Sequence, residues 1–321
     1  MQNLSSQGKL AFIFPGQGSQ TVAMLSDFSQ NTIVQQAFKE ASDALGYDLW
    51  QLVAHGPAEQ LNQTNYTQPA LLTASVALWR VWQAESDVMP SVFAGHSLGE
   101  YSALVCADVL SLAQGVKLVE KRGEYMQACV PEGVGAMAAV IGLDDLAIIN
   151  ACTDAQMDEV VSAVNFNSPG QVVIAGHKSA VERAGDLCKE AGAKRVLPLP
   201  VSVPSHCALM ADAAQKLAKD LEEITFNTPS VNVVNNVDVN IETDGEMIKA
   251  ALIKQLYSPV RWSETIVSLG EQGVTQMVEV GPGKVLQGLV KRINKSIKCV
   301  SFNSDDTLTK AKELTQTTSE S

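Results

Sequence analysis

Gly95-His96-Ser97-Leu98-Gly99 constrains this chain more than any other stretch. An apolar run (Val88, Val92, Phe93, Ala94) leads into it and a helix-like run from Glu100 to Cys106 leaves it, so the order is strand, sharp turn, helix. Small residues at Gly95 and Gly99 let strand and helix pack closely, while the tight turn lifts the serine hydroxyl clear of the backbone and above the sheet edge. Ser97 is thereby the candidate nucleophile.

The flanking chain supplies a sheet for such a turn. Lys9 to Phe14 reads as a buried parallel strand, ended by Pro15-Gly16-Gln17-Gly18-Ser19. That loop matches neither GxxxxGK[ST] nor GxGxxG, so it reads as a strand-to-helix turn, not a nucleotide site. Helical spacing follows over Asn31 to Leu45 and Gln68 to Gln83, and the alternation predicts a parallel sheet covered on both faces. Gly133 to Leu199 then spells βαββαβ: strand Ala136–Gly142, helix Asp144–Cys152, strands Val160–Asn165 and Gln171–Ala175, helix Ser179–Ala191, strand Arg195–Leu199. Asn167-Ser168-Pro169-Gly170 makes a turn between the middle strands, and an antiparallel hairpin does not fit a doubly wound run. The expectation is a ferredoxin-like subdomain over 131–200, inserted into a large α/β domain made of 1–130 and 201–321. Beyond it come a helix from about Ala208 to Ile224, a strand at Val231–Asn235, helices at Gly245–Gln255 and Ser263–Gln272, and a strand at Gln276–Val280. A helix over Lys284–Asn294 and a strand near Ile297–Phe302 complete the alternation, and the polar stretch Asn303 to Ser321 is expected to be frayed.

Composition narrows the function classes. With 46% hydrophobic and 18% charged residues the chain can bury a full core. No apolar run approaches the roughly 20 residues that cross a bilayer, and Met1 to Lys9 lacks the basic and apolar regions of a signal peptide, so no membrane association and a cytoplasmic location are expected. The six cysteines form no CxxC pair and are expected to be reduced and structural. A net charge of −12 argues against nucleic-acid binding. Histidines and cysteines show no ligand spacing, so neither a metal nor a redox cofactor is expected.

A serine hydroxyl needs a base within hydrogen-bond reach. Of the four histidines, His96 abuts the serine and should point away from it, His55 precedes a Gly-Pro loop and His177 opens a helix of the insertion. His206 lies in the loop position where hydrolase-like sheets place their base, although a structural role would suit it too. No third member stands out, since the carboxylates at strand ends between serine and histidine fall in the inserted unit. A Ser-His dyad oriented by a neutral acceptor would still work chemically. On the helix from Ser111 to Cys129, Arg122 falls on the stripe of Leu112, Val116, Val119, Met126 and Cys129. A guanidinium there pairs with an internal carboxylate, snorkels to the helix edge, or meets an anionic ligand.

Five motifs in order, Phe14-Pro15-Gly16-Gln17-Gly18-Ser19-Gln20, Gly95 to Tyr101, Asn165 to Gln171, Pro204-Ser205-His206 and Glu279 to Gly283, resemble the malonyl-CoA:acyl carrier protein transacylase family of bacterial type II fatty acid synthesis. The resemblance runs from about Lys9 to Phe302 and implies a hydrolase-like α/β domain carrying a ferredoxin-like subdomain. It makes Ser97 the nucleophile, His206 the general base, Gln255 a group that orients the histidine, and Arg122 the partner of the malonyl carboxylate. It gives the backbone N–H groups of Gln17 and Leu98 to an oxyanion hole, with Asn167 a weaker candidate because a tight turn also wants Asn-Ser-Pro-Gly. It implies malonyl-CoA and the phosphopantetheine arm of an acidic, transiently bound acyl carrier protein as substrates, and no bound cofactor. The positive charge of Lys284, Lys291, Arg292, Lys295 and Lys298, with Lys194 and Arg195, reads either as the cationic face that docks such a carrier or as an ordinary solvated surface. Competing readings are a stand-alone acyltransferase of a polyketide synthase, a hydrolase-type esterase or thioesterase, and a non-catalytic carrier-binding module.

Overall fold

The computed structural model describes residues 8–131, 133–201 and 203–316. Its strands are β1 (Lys9–Phe14), β2 (Val92–Gly95), β3 (Gly135–Ile141), β4 (Val161–Ser168), β5 (Gln171–His177), β6 (Arg195–Pro198), β7 (Asn232–Val234), β8 (Val274–Val280) and β9 (Lys298–Phe302). Helices α1 (Thr32–Leu45), α2 (Leu49–His55), α3 (Ala58–Leu61), α4 (Thr64–Glu85), α5 (Leu98–Cys106) and α6 (Leu112–Cys129) precede β3. After it come α7 (Asp145–Ala155), α8 (Lys178–Glu190), α9 (Ala211–Glu222), α10 (Gly245–Gln255), α11 (Trp262–Glu271), α12 (Val285–Ile293) and α13 (Asp305–Gln316).

Strands β7-β2-β1-β8-β9 form a sheet in which every pairing is parallel. Because side chains alternate along β1, Phe12 and Phe14 enter one apolar layer with Phe93, Trp79 and Trp82, while Ala11 and Ile13 enter the opposite layer with Ala94, Trp262 and Met277. Phe12 meets the edge of Trp82 at 5.1 Å and of Trp79 at 5.7 Å, which fixes α4 across the sheet. A second sheet, β4-β5-β3-β6, is antiparallel throughout. One of its faces is covered by α7 and α8 through Ile148, Cys152, Val181 and Cys188, and the other presents Met137, Ala139, Val164 and Ala175 near Cys207. The backbone joins the two regions where Asn165 and Val260 form a parallel bridge, Phe166 N–H donating to Val260 C=O at 3.0 Å and Val260 N–H to Val164 C=O at 2.8 Å.

Three expectations need correction. The stretch expected to fray contains α13: Ser304 and Thr307 cap its start reciprocally, Asp305 and Asp306 favour its N-terminus, and Ala311 is buried. Residues 317–321 of that call lie outside the described residues. Helices α2 and α3 went unread because each is too short to show a period, although Asp48 caps α2 by accepting from Gln51 N–H. The helix expected from Ala208 begins as a 3₁₀ turn over Ala208–Met210 and becomes α-helical at Ala211. Among the described residues no helix is long and apolar enough to cross a membrane.

The elbow depends on its glycines. A Cβ on Gly95 would stand 1.9 Å from the carbonyl carbon of Gly99, and one on Gly99 would stand 2.0 Å from the carbonyl oxygen of Phe14. Both obstacles are backbone, so no rotamer relieves them. Gly99→Ala is expected to cost ~3 kcal/mol or more, read as a lower urea midpoint at unchanged slope.

Candidate active site

β2 ends at Gly95 and α5 begins at Leu98, which leaves Ser97 at the corner with φ 53° and ψ −109°. A non-glycine residue avoids this region unless its surroundings hold it there. They do: Ser97 N–H donates to Asn236 Oδ1 at 2.7 Å, and Asn236 Nδ2 donates to Gly95 C=O at 2.6 Å. The strained corner aims Oγ at His206 Nε2, 2.7 Å away.

His206 is buried in the loop after β6 and also has positive φ, 66°. Its Nδ1 lies 2.8 Å from the main-chain carbonyl of Gln255, the last residue of α10. A carbonyl can only accept, so Nδ1 carries the proton and Nε2 of the neutral ring is free to accept from the serine hydroxyl. The neutral form is strongly favoured: burial, then the Arg122 charge, pulls the imidazole down to about 3.

Arg122 comes from the middle of α6 and is 1% exposed. Nη1 donates to Gln68 Oε1 at 2.7 Å, and Nη2 donates to Gln255 Oε1 at 3.0 Å and to Ser97 Oγ at 3.3 Å. Among the described residues its acceptors are thus two carboxamides and the serine hydroxyl, none of them a carboxylate. The internal carboxylate pair that sequence left open is absent there. A buried guanidinium whose direct partners are all neutral keeps most of its charge available to an anion in the cleft.

That cleft, about 480 Å³, is lined by Gln17, His96, Ser97, Leu98, Arg122 and Met126 on one side. Met137 and Asn165 of the antiparallel sheet line it too, with Leu199, Pro200, Val201, Val203, Ser205 and His206. Gln17 and Leu98 both border it, and neither backbone N–H donates to a protein acceptor among the described residues. Asn167 Oδ1 accepts from His96 Nε2 at 2.7 Å, so that ring nitrogen carries the proton and Asn167 meets His96 and not Ser97. A larger groove of about 690 Å³ between α8 and β6 contains no nucleophile–base pair. Among the described residues no group of three or more His, Cys, Asp or Glu could hold a metal ion.

The structure brings together Ser97, His206, Arg122 and Gln255, and it refines the last: the Gln255 main chain orients the imidazole, while its side chain reaches Arg122, Ser97 C=O and Glu100. Sequence reasoning missed Gln68, Asn236 and Glu100. Glu100 is an acid between serine and histidine that lies in the first turn of α5, away from any strand end, and it is buried beside the site. An acid three residues past the serine in an apolar helix, and a glutamine in the buried stretch of α4, were the available signals.

Fold and site together set a serine hydroxyl, a neutral imidazole and a guanidinium in one cleft at a strand-to-helix corner. Residues 11–313 match the acyl transferase domain family, and the chain belongs to it. It is 62% identical to the malonyl CoA-acyl carrier protein transacylase of Escherichia coli K12 over 307 residues, covering 95% of this chain and 99% of that one. An acyl carrier protein S-malonyltransferase from Vibrio cholerae superposes with a TM-score of 0.93 at 63% identity, over 94% of this chain and 99% of that one. A malonyl-transacylase solved in complex with its type II PKS acyl-carrier protein gives 0.94 at 59%, over 95% and 99%.

Proposed function

We propose that the protein moves a malonyl group from malonyl-CoA to the phosphopantetheine thiol of an acyl carrier protein, through a malonyl ester on Ser97. The observation that carries the reading is the Arg122 guanidinium, without a carboxylate partner and 3.3 Å from the nucleophile's oxygen. A malonyl thioester presents its free carboxylate a few ångströms from its reacting carbonyl, and the fork geometry of arginine suits a bidentate pair.

The steps balance as proton and acyl exchanges. Ser97 Oγ attacks the thioester carbonyl while His206 Nε2 takes the hydroxyl proton, and the N–H groups of Leu98 and Gln17 receive the oxyanion. Collapse breaks the C–S bond, and coenzyme A leaves with the proton returned by His206. The carrier thiol then gives its proton to His206, attacks the ester, and restores the serine hydroxyl. Substrate also tunes the base: once the malonyl carboxylate neutralises Arg122, the charge that depresses His206 is screened and its basicity rises. No cofactor enters the scheme, and we read the enzyme as cytoplasmic. We read the antiparallel unit over 131–200 as a ferredoxin-like subdomain inserted in a hydrolase-like domain, closing the cleft against water.

An acidic enzyme needs a local cationic face for an acidic partner. Lys284, Lys291, Arg292, Lys295 and Lys298 are exposed on and around α12. Arg292 donates to Gln171 Oε1; Gln171 pairs with Ile141, and Ile141 with Arg195, so the two clusters form one ridge. Reversing Lys291 and Arg292 to glutamate is expected to raise KM for the carrier protein ~10-fold and leave KM for malonyl-CoA unchanged. Equal effects on both would place docking elsewhere. The 59%-identical relative solved with a polyketide carrier supports reading the acceptor as a class of carrier proteins, in fatty acid or polyketide assembly.

Function is tested by incubating the enzyme with malonyl-CoA and pantetheinylated carrier protein and weighing the products. Malonylated carrier is expected; free malonate at the rate of coenzyme A release would make the protein a thioesterase.

A further inference from the structure

We propose that Glu100 is a positioning residue for acyl transfer, its carboxylate being the shared acceptor that ties the backbone of the nucleophile to the guanidinium that reads the substrate. The proposal rests on the function given above. Glu100 Oε2 accepts from Asn236 N–H at 2.9 Å and from Gln255 Nε2 at 2.8 Å. The first bond fixes the residue whose carboxamide grips Ser97 N–H and Gly95 C=O and thereby holds the strained corner. The second fixes the carboxamide that accepts from Arg122, giving a relay from guanidinium through amide to carboxylate. Gln255 Nε2 also reaches Ser97 C=O at 3.1 Å, and its main chain orients His206, so one buried acid anchors both arms.

Its setting is that of an anchor. Glu100 lies in the first turn of α5, where the helix N-terminus favours negative charge, and it is 2% exposed. It cannot touch substrate, because it does not border the cleft. It faces instead a small pocket of about 10 Å³ shared with Asn235 and Glu242, and the buried Asn235 Nδ2 has no hydrogen-bond partner among the described residues. Both donors meet the same carboxylate oxygen, Oε2, so each bond is charge-assisted. A glutamine carbonyl in that place could still accept from both, but it carries no charge to strengthen them or to complete the relay from the guanidinium.

Burial, opposed by the Gln255 and Asn236 bonds and by the Arg122 charge, pushes the Glu100 carboxyl up to about 7. The charged groups facing it are Arg122 from α6, Asp238 from the segment after β7, which Lys254 pairs at 2.6 Å, and Glu242 across the small pocket. Protonation removes the negative charge that strengthens both bonds at Oε2, so the anchor loosens as pH falls through about 7. His206 is still neutral there.

The experiment compares wild type, Glu100→Gln, Glu100→Asp and Asn236→Ala in malonyl and acetyl transfer from their coenzyme A thioesters across pH 5.5–8.5, with circular dichroism and thermal melts confirming fold. Glu100→Gln is expected to lower kcat for malonyl transfer ~10- to 100-fold with KM within ~3-fold, to shrink the malonyl-to-acetyl preference, and to lose the wild-type decline of kcat below pH ~7. Glu100→Asp restores charge and recovers part of kcat. Asn236→Ala severs only the serine arm, so kcat falls for both acyl groups and the preference stays. Wild-type kcat, preference and pH profile in folded Glu100→Gln would overturn the proposal, as would a kcat loss matching only its unfolded fraction. Should that variant fail to fold, a shifted preference in Asn236→Ala overturns it. Absence of malonyl transfer in wild type would instead remove the function on which it rests.

Discussion

Ser97→Ala is expected to leave the protein folded, to form no covalent adduct with malonyl-CoA, and to lower transfer at least ~10⁴-fold, with intact-mass spectrometry of wild type beside it showing one added malonyl group. The size follows from the absence of a substitute. Oγ is the atom on which the His206 and Arg122 contacts converge, and removing it takes one hydrogen-bond partner from each. The fold survives because the corner is held through the backbone: Ser97 N–H keeps its bond to Asn236, and alanine tolerates φ 53° about as well as serine. An adduct persisting in Ser97→Ala would move the nucleophile to another cleft hydroxyl, of which Ser205 is the candidate. His206→Ala should slow adduct formation nearly as much, since the hydroxyl proton then has no acceptor at 2.7 Å.

How much of this could be read from the chain depends on whether the determinant is local. The elbow was legible because its cause is local: two glycines, a strand before, a helix after, and steric clashes only backbone can make. The βαββαβ order was legible because each element carries its own period, and the hairpin at Ser168–Gln171 has its own turn chemistry. Helix α13 was not, because a reciprocal Ser304–Thr307 cap and one buried alanine leave a polar average that resembles a tail. The supports of the site were least legible. Gln68 and Gln255 reach Arg122 from 54 and 133 residues away, and Glu100 meets Asn236 across 136. Neutral amides carry no charge pattern to betray such pairings, so an arginine on an apolar stripe showed that a partner was needed without showing which. The likeness of motifs supplied Arg122 and Gln255, and only tertiary geometry supplied Gln68, Asn236 and Glu100 and the reason they all meet.

Arg122→Ala is expected to lower kcat/KM for malonyl transfer by ~10²- to 10³-fold while acetyl transfer holds or rises, which inverts the preference of the enzyme. Malonyl loses a buried, charge-assisted, two-pronged pair, an interaction of ~3–4 kcal/mol by that fold-change. Acetyl has no carboxylate to lose. Burial holds His206 below its ordinary value and the guanidinium charge adds to that, so removing the guanidinium strengthens the base in part for the substrate that could not itself screen the charge. A structural cost runs the other way: the Gln68 and Gln255 carboxamide oxygens lose their donor, and a buried unpaired acceptor costs ~1–3 kcal/mol. Arg122→Lys separates the two effects. It keeps a positive charge but presents no fork, so malonyl transfer should recover in part and the preference should return before stability does. If acetyl transfer instead collapses in parallel with malonyl in Arg122→Ala, the guanidinium serves as a post for Gln68 and Gln255, and recognition of the carboxylate lies elsewhere in the cleft.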